Sequence, residues 1–73
     1  MDVRKLVKMA NQIALNFEYG PDRDKAIAGA VDHLSRFWTP DMLAAIVEYA
    51  QTENNDLSEL AAAVVAEIGK AAA

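Results

Sequence analysis

Apolar residues recur at steps of three and four along most of the chain, which is the spacing of one face of an α-helix. In the first segment this series is Val3, Leu6, Met9, Ala10, Ile13 and Phe17. It predicts a helix from about residue 2 to 18, with Asp2 as a suitable N-cap. Gly20 and Pro21 end this helix, because glycine accepts a left-handed conformation and proline cannot continue a helix.

The same spacing predicts a second helix from about residue 23 to 37, with Asp22 as its N-cap. Its apolar face comprises Ala26, Ile27, Ala30, Val31 and Leu34, with Phe37 as a further candidate. Asp32 and Arg36 are four residues apart, which suits a solvent-side ion pair worth about 0.2–0.5 kcal/mol.

Two more helices follow. Thr39 as N-cap and Pro40 at the first helical position predict a third helix from about residue 40 to 51. Asp56 and Glu59 form an acidic version of a capping box and predict the start of a fourth helix. The inward residues are Met42, Leu43, Ile46, Val47 and Ala50 in the third helix and Leu57, Leu60, Ala61, Val64 and Ile68 in the fourth. We therefore predict an all-α fold, a small bundle of about four short helices in one domain over residues 1–73, frayed from about residue 69.

The composition restricts the classes of function that this chain can have. The 73 residues include no cysteine and one histidine, so disulfides and the usual zinc or iron–sulfur ligand sets are excluded. The net charge of −4 disfavours a nucleic-acid partner. The N-terminus does not resemble a signal peptide, and the longest apolar runs are too short to cross a membrane. We expect a cytoplasmic protein with no membrane contact and with no cofactor or metal in this chain.

His33 is the only side chain with an ordinary pKa near neutrality, and therefore the natural candidate for a general base. The neighbouring sequence supplies no nucleophile or substrate pocket to accompany it. Asp32 does not help, because adjacent helical residues point about 100° apart. A helix-surface or interface histidine is the better interpretation, and we predict no catalytic residues.

Phe37 and Trp38 stand side by side at the end of the second helix, where both cannot easily enter one core. One should face inward, while the other lies beneath the corner or outside it. Either both rings are structural or an exposed ring anchors a partner, since tryptophan is enriched among binding hot spots. Asn11 and Gln12 leave a similar choice, between exposure to water and hydrogen bonds across a protein interface.

Two segments together carry a resemblance to a known family. The first reads Met-Ala-Asn-Gln-Ile at residues 9–13, and the second contains Asp32, His33, Leu34, Phe37, Trp38 and Pro40. This pair resembles the delta subunit of NAD-dependent formate dehydrogenases, over about residues 6 to 60. The chain has Asp41 and Leu43 at positions where that family usually has arginine on either side of a methionine.

The resemblance implies a non-catalytic accessory subunit without a cofactor of its own. It would bind larger oxidoreductase subunits, above all the molybdenum or tungsten catalytic subunit, and stabilise the complex or help to mature it. The partner-binding residues that we predict are Asn11, Gln12, His33, Phe37 and Trp38. The alternative is a free-standing helical regulator that buries the same patch in a homo-oligomer.

Overall fold

Four helices account for most of the fold in the computed structural model, which describes residues 2–18, 20–52 and 55–72. They are α1 (Val3–Phe17), α2 (Arg23–Phe37), α3 (Pro40–Ala50) and α4 (Glu59–Ala72). The described residues contain no β-strand. The predicted all-α class is confirmed, and the predicted bounds of the first three helices are correct to within one residue.

Side-chain caps start the first three helices as the sequence predicted. The amide N–H of Arg4 donates to the Asp2 carboxylate at 3.0 Å at the start of α1. Asp22 and Thr39 accept equivalent bonds at the starts of α2 and α3, at 3.1 and 3.3 Å. Each cap satisfies an N–H that has no partner within its helix. Gly20 has φ +83°, the left-handed conformation expected of it in the turn between α1 and α2.

The core lies where α4 packs against all three other helices. Its four largest fully buried side chains are Leu34, Ile46, Val64 and Val65. Leu34, Ile46 and Val64 come from the apolar faces that the spacing predicted for α2, α3 and α4, and Val65 of α4 is an addition. Met9 is a correction, because its side chain is 44% exposed although the series placed it inward.

The start of α4 is a second correction. Ser58, and not Asp56, provides the cap, because its hydroxyl oxygen accepts the amide N–H of Ala61 at 3.1 Å. The helix begins at Glu59 and continues through Ala72. The fraying expected from about residue 69 stays a prediction, since it concerns the dynamics of this end.

Candidate partner-binding surface

Three aromatic rings form a ridge on one flank of the α1–α2 pair. The imidazole of His33 meets Phe17 edge-to-face, with ring centroids 6.0 Å apart and an interplanar angle of 62°. On its other side it meets the tilted ring of Phe37 at 4.8 Å. Phe17 and His33 are half-buried, whereas Phe37 is 70% exposed. We call Phe17, His33 and Phe37 the aromatic ridge.

Gly29 allows α1 and α2 to approach closely at the base of the ridge. A Cβ atom at this position would lie 2.8 Å from Cδ1 and 2.9 Å from Cε1 of Phe17, well inside van der Waals contact. The Phe17 ring therefore rests on the backbone of α2, one helical turn before His33. Gly29, His33 and Phe37 follow one another at intervals of four residues, so they share one face of α2.

His33 contributes polarity to an otherwise apolar ridge. Within the described ranges its ring nitrogens form no hydrogen bond with another residue. An imidazole has one donor and one acceptor nitrogen when neutral, so His33 can offer either to a partner. The phenyl rings on both sides restrict the imidazole, so such a hydrogen bond would have a defined direction.

Trp38 lies in the core, and the expectation that it could be an exposed anchor is wrong for the free chain. Its side chain is 6% exposed and belongs to the main hydrophobic cluster. Its amide N–H still donates to the Leu34 carbonyl oxygen at 2.9 Å, but its backbone has already turned extended. Phe37, the preceding residue, does not lie on the inward face of α2. Of the two neighbouring aromatic residues, Phe37 is the one that presents its ring to solvent.

Asn11 holds the chain segment that precedes α4. Its Nδ2 donates to the carbonyl oxygen of Asp56 at 2.9 Å, and its Oδ1 accepts the amide N–H of Ser58 at 2.8 Å. The side chain thus bridges 45 to 47 positions of sequence, from the middle of α1 to the start of α4. The Tyr49 hydroxyl accepts the Asp56 amide N–H at 3.0 Å and fixes the same segment from α3. These hydrogen bonds are internal to the chain, and the contact with a partner expected for Asn11 stays a prediction.

The five residues predicted from sequence do not lie on one surface. Asn11 lies about 120° around α1 from Phe17, counting 100° per residue, and it faces the α4 connection. Gln12 is exposed and donates to Asn16 Oδ1 at 3.1 Å, one turn along the same helix. Only His33 and Phe37 are brought together, and Phe17, which the sequence placed in the core, completes their cluster. The four-residue spacing of Gly29, His33 and Phe37 was the sequence signal for this surface.

A hydrogen bond at a helix start shifts the pKa of one acidic side chain. The pKa of the Asp2 carboxyl is lowered by the backbone hydrogen bond from Arg4, which is the effect of a helix cap. In the part of the chain that the structure describes, no three His, Cys, Asp or Glu side chains are grouped so that they could hold a metal ion. None of the described helices is both long and apolar enough to cross a membrane.

A known protein family matches most of this chain. The family of NADH-dependent formate dehydrogenase delta subunits, FdsD, matches residues 5–65 of the 73-residue chain. The chain belongs to this family. The match covers most of α1, all of α2 and α3 and the first half of α4, and hence the whole aromatic ridge and the Asn11 contacts. No curated protein and no solved structure matches the sequence.

Membership of the FdsD family confirms the resemblance inferred from residues 9–13 and 32–40. A delta subunit is one component of a formate dehydrogenase complex, so partner subunits are implied. Phe37, Leu15 and Met9 are the most exposed large apolar side chains of this delta subunit in the described ranges, and only Phe37 is part of an aromatic cluster.

Proposed function

We propose that this delta subunit is a non-catalytic accessory protein that binds larger subunits of a cytoplasmic, NAD-dependent formate dehydrogenase or a diverged relative. It would stabilise that assembly or help to mature it. The molybdenum or tungsten catalytic subunit is the partner that we favour. The observation that carries the proposal is the exposed ring of Phe37, held against His33 in a chain of the FdsD family.

The aromatic ridge supports a docking role on physical grounds. The phenyl ring of Phe37 is 70% exposed, and its contact with water is unfavourable, so covering the ring with an apolar partner surface lowers the free energy. Aromatic side chains are enriched at interfaces, because they bury a large area at a small cost in conformational entropy. His33 adds a directional polar group beside the ring. We assign docking to Phe37 and His33, with Gln12 as a further polar contact from the exposed side of α1.

In this proposal Asn11 and Trp38 act by maintaining the fold of the chain. Asn11 fixes the segment before α4, and Trp38 fills the core directly below the corner that carries Phe37. Replacing either residue would therefore affect binding through the fold. The redox cofactors of the complex belong to other subunits in this proposal, since a chain with no cysteine and one histidine lacks the usual donor sets for them.

Co-purification with named subunits tests the proposal. The tagged chain is co-expressed with the catalytic and diaphorase subunits of the formate dehydrogenase from the same organism, and the stoichiometry of the purified complex is measured. We expect the delta subunit in a fixed ratio to the catalytic subunit. If the isolated chain forms a homo-oligomer through Phe37 and does not bind those subunits, the result would favour a free-standing regulator instead.

A further inference from the structure

A second apolar surface lies on the opposite side of α2 from the aromatic ridge. It is a partly open groove with a volume of about 550 Å³. The side chains that form it include Val31, Leu43, Ala44, Val47, Ile68 and Ala71. Val31 lies about 160° around α2 from His33, counting 100° per residue, so the groove and the ridge are separate surfaces.

The helices α2, α3 and α4 form the walls of the groove and set its length. Its α3 wall runs from Pro40 to Gln51 at steps of three and four residues, a length of about 16 Å at 1.5 Å per residue. Ile68 and Ala71 belong to the last turns of α4, which contacts both α2 and α3. A neighbouring cavity of about 450 Å³ shares Val31 and Ala71 with it and extends the groove along α2. A long, apolar channel of this form suits the side-chain row of a helix of about three turns.

The charged residues that line the groove and its extension are acidic. Glu48 lies along its α3 wall, and Asp24 and Glu67 lie along its extension. No lysine or arginine side chain is among the described residues that form either part. Glu67 pairs with Lys70 at 3.4 Å, whereas Glu48 and Asp24 have no ion-pair partner within the described ranges. An occupant with basic residues on its flanks would therefore find complementary charge.

The same charges disfavour a second copy of this chain. A two-fold dimer across the groove would place Glu48, Asp24 and Glu67 of one copy close to the same residues of the other copy. The net charge of −4 on each copy adds to this repulsion. A membrane surface with anionic lipids is disfavoured for the same reason.

We propose that the groove between α2, α3 and α4 binds an amphipathic helix of another protein, one with an apolar stripe and lysine or arginine beside it. Residues at i, i+3, i+4 and i+7 of that helix would enter the groove between Leu43, Val47 and Val31. Its basic side chains would reach Glu48 and Asp24. The subunit would then present two binding surfaces on opposite flanks of α2.

The test uses two labelled helical peptides of about 14 residues, a length at which an isolated helix begins to form. Both carry leucine at i, i+3, i+4 and i+7; one has lysine beside this stripe and the other has glutamate. Fluorescence anisotropy measures their affinity for the full chain. We expect the lysine peptide to bind at least about tenfold more tightly than the glutamate peptide, and to weaken as salt is added.

Four variants locate the binding site. Ala44 is exposed on α3, so Ala44→Gln fills the groove without disturbing the core, and should weaken the lysine peptide by about tenfold at an unchanged melting temperature. Glu48→Gln should weaken it by about two- to fivefold. Glu18→Gln, an exposed acid outside the groove, and Phe37→Ala on the ridge should leave the affinity unchanged.

Three results would overturn the proposal. The first is equal binding of the two peptides, and the second is a loss of affinity with Phe37→Ala but none with Ala44→Gln. The third is a dimer of the chain, seen by sedimentation, that Ala44→Gln converts to a monomer, because the occupant would then be a second copy. These readouts require no formate dehydrogenase subunit, so they are independent of the proposed function.

Discussion

Asn11→Ala removes both hydrogen bonds by which α1 holds the segment before α4, and we expect it to destabilise the free chain. Each bond contributes about 0.5–1.5 kcal/mol net, so the pair contributes about 1–3 kcal/mol. Alanine is the better helix former by up to about 0.7 kcal/mol, which offsets part of the loss. With the full offset, the expected decrease in the free energy of unfolding is about 0.3–2.3 kcal/mol.

Urea denaturation followed by circular dichroism measures this change. A domain of this size has a total stability of about 4–11 kcal/mol. With a urea dependence near 1 kcal/mol per molar, the substitution would lower the midpoint by about 0.3–2.3 M. Gln12→Ala is the matched control, because among the described residues the side-chain amide of Gln12 bonds only Asn16 on the same helix, a pair worth about 0.2–0.5 kcal/mol. Its midpoint should change little.

Two outcomes would refute the structural role of Asn11. One is a midpoint for Asn11→Ala that equals that of Gln12→Ala. The other is a loss of partner binding at unchanged stability, which would return Asn11 to the interface that the sequence alone had suggested.

Three further predictions follow from the core and the caps. Trp38→Ala should lower the free energy of unfolding by about 3–5 kcal/mol in denaturant melts, and a loss below about 1 kcal/mol would contradict its burial. Thr39→Ala should cost about 0.5–2 kcal/mol, and an unchanged midpoint would show that the Met42 amide N–H has another partner. Asp2 has a lowered pKa, so its cap is fully effective above its ordinary value of 3.8 and is lost as pH falls through the folded-state value. The stability difference between wild type and Asp2→Asn should therefore be larger at about pH 7 than at about pH 3, and a constant difference would contradict the lowered pKa of Asp2.

Local interactions explain why the sequence predicted the first three helices so closely. Asp2, Asp22 and Thr39 each cap an amide N–H two or three residues away, so the signal and its partner stand together in the sequence. The start of α4 was wrong for the opposite reason. Asn11 lies 45 to 47 positions away, and its bonds keep the residues before Ser58 out of the helix.

Phe37 and Trp38 show which features of the surface the spacing of residues can predict and which it cannot. Trp38 continues the four-residue series of Ala30 and Leu34, both of which are fully buried, and it keeps that direction although its backbone leaves the helix. Phe37 continues the series of Gly29 and His33 instead. The two series were present in the sequence, but the contact of His33 with Phe17 of α1 could not be read from them. That contact depends on how closely α1 and α2 approach at Gly29.

The most direct test of the docking role is the affinity of Phe37→Ala for the formate dehydrogenase catalytic subunit, measured together with its unfolding free energy. The proposed function predicts a loss of about 2 kcal/mol or more in binding, roughly 30-fold, with a stability change of about 1 kcal/mol or less. Leu15→Ala is the control, because Leu15 is 61% exposed but lies outside the ridge, and it should leave both quantities unchanged. Wild-type affinity in Phe37→Ala would contradict the claim that the aromatic ridge is the docking surface.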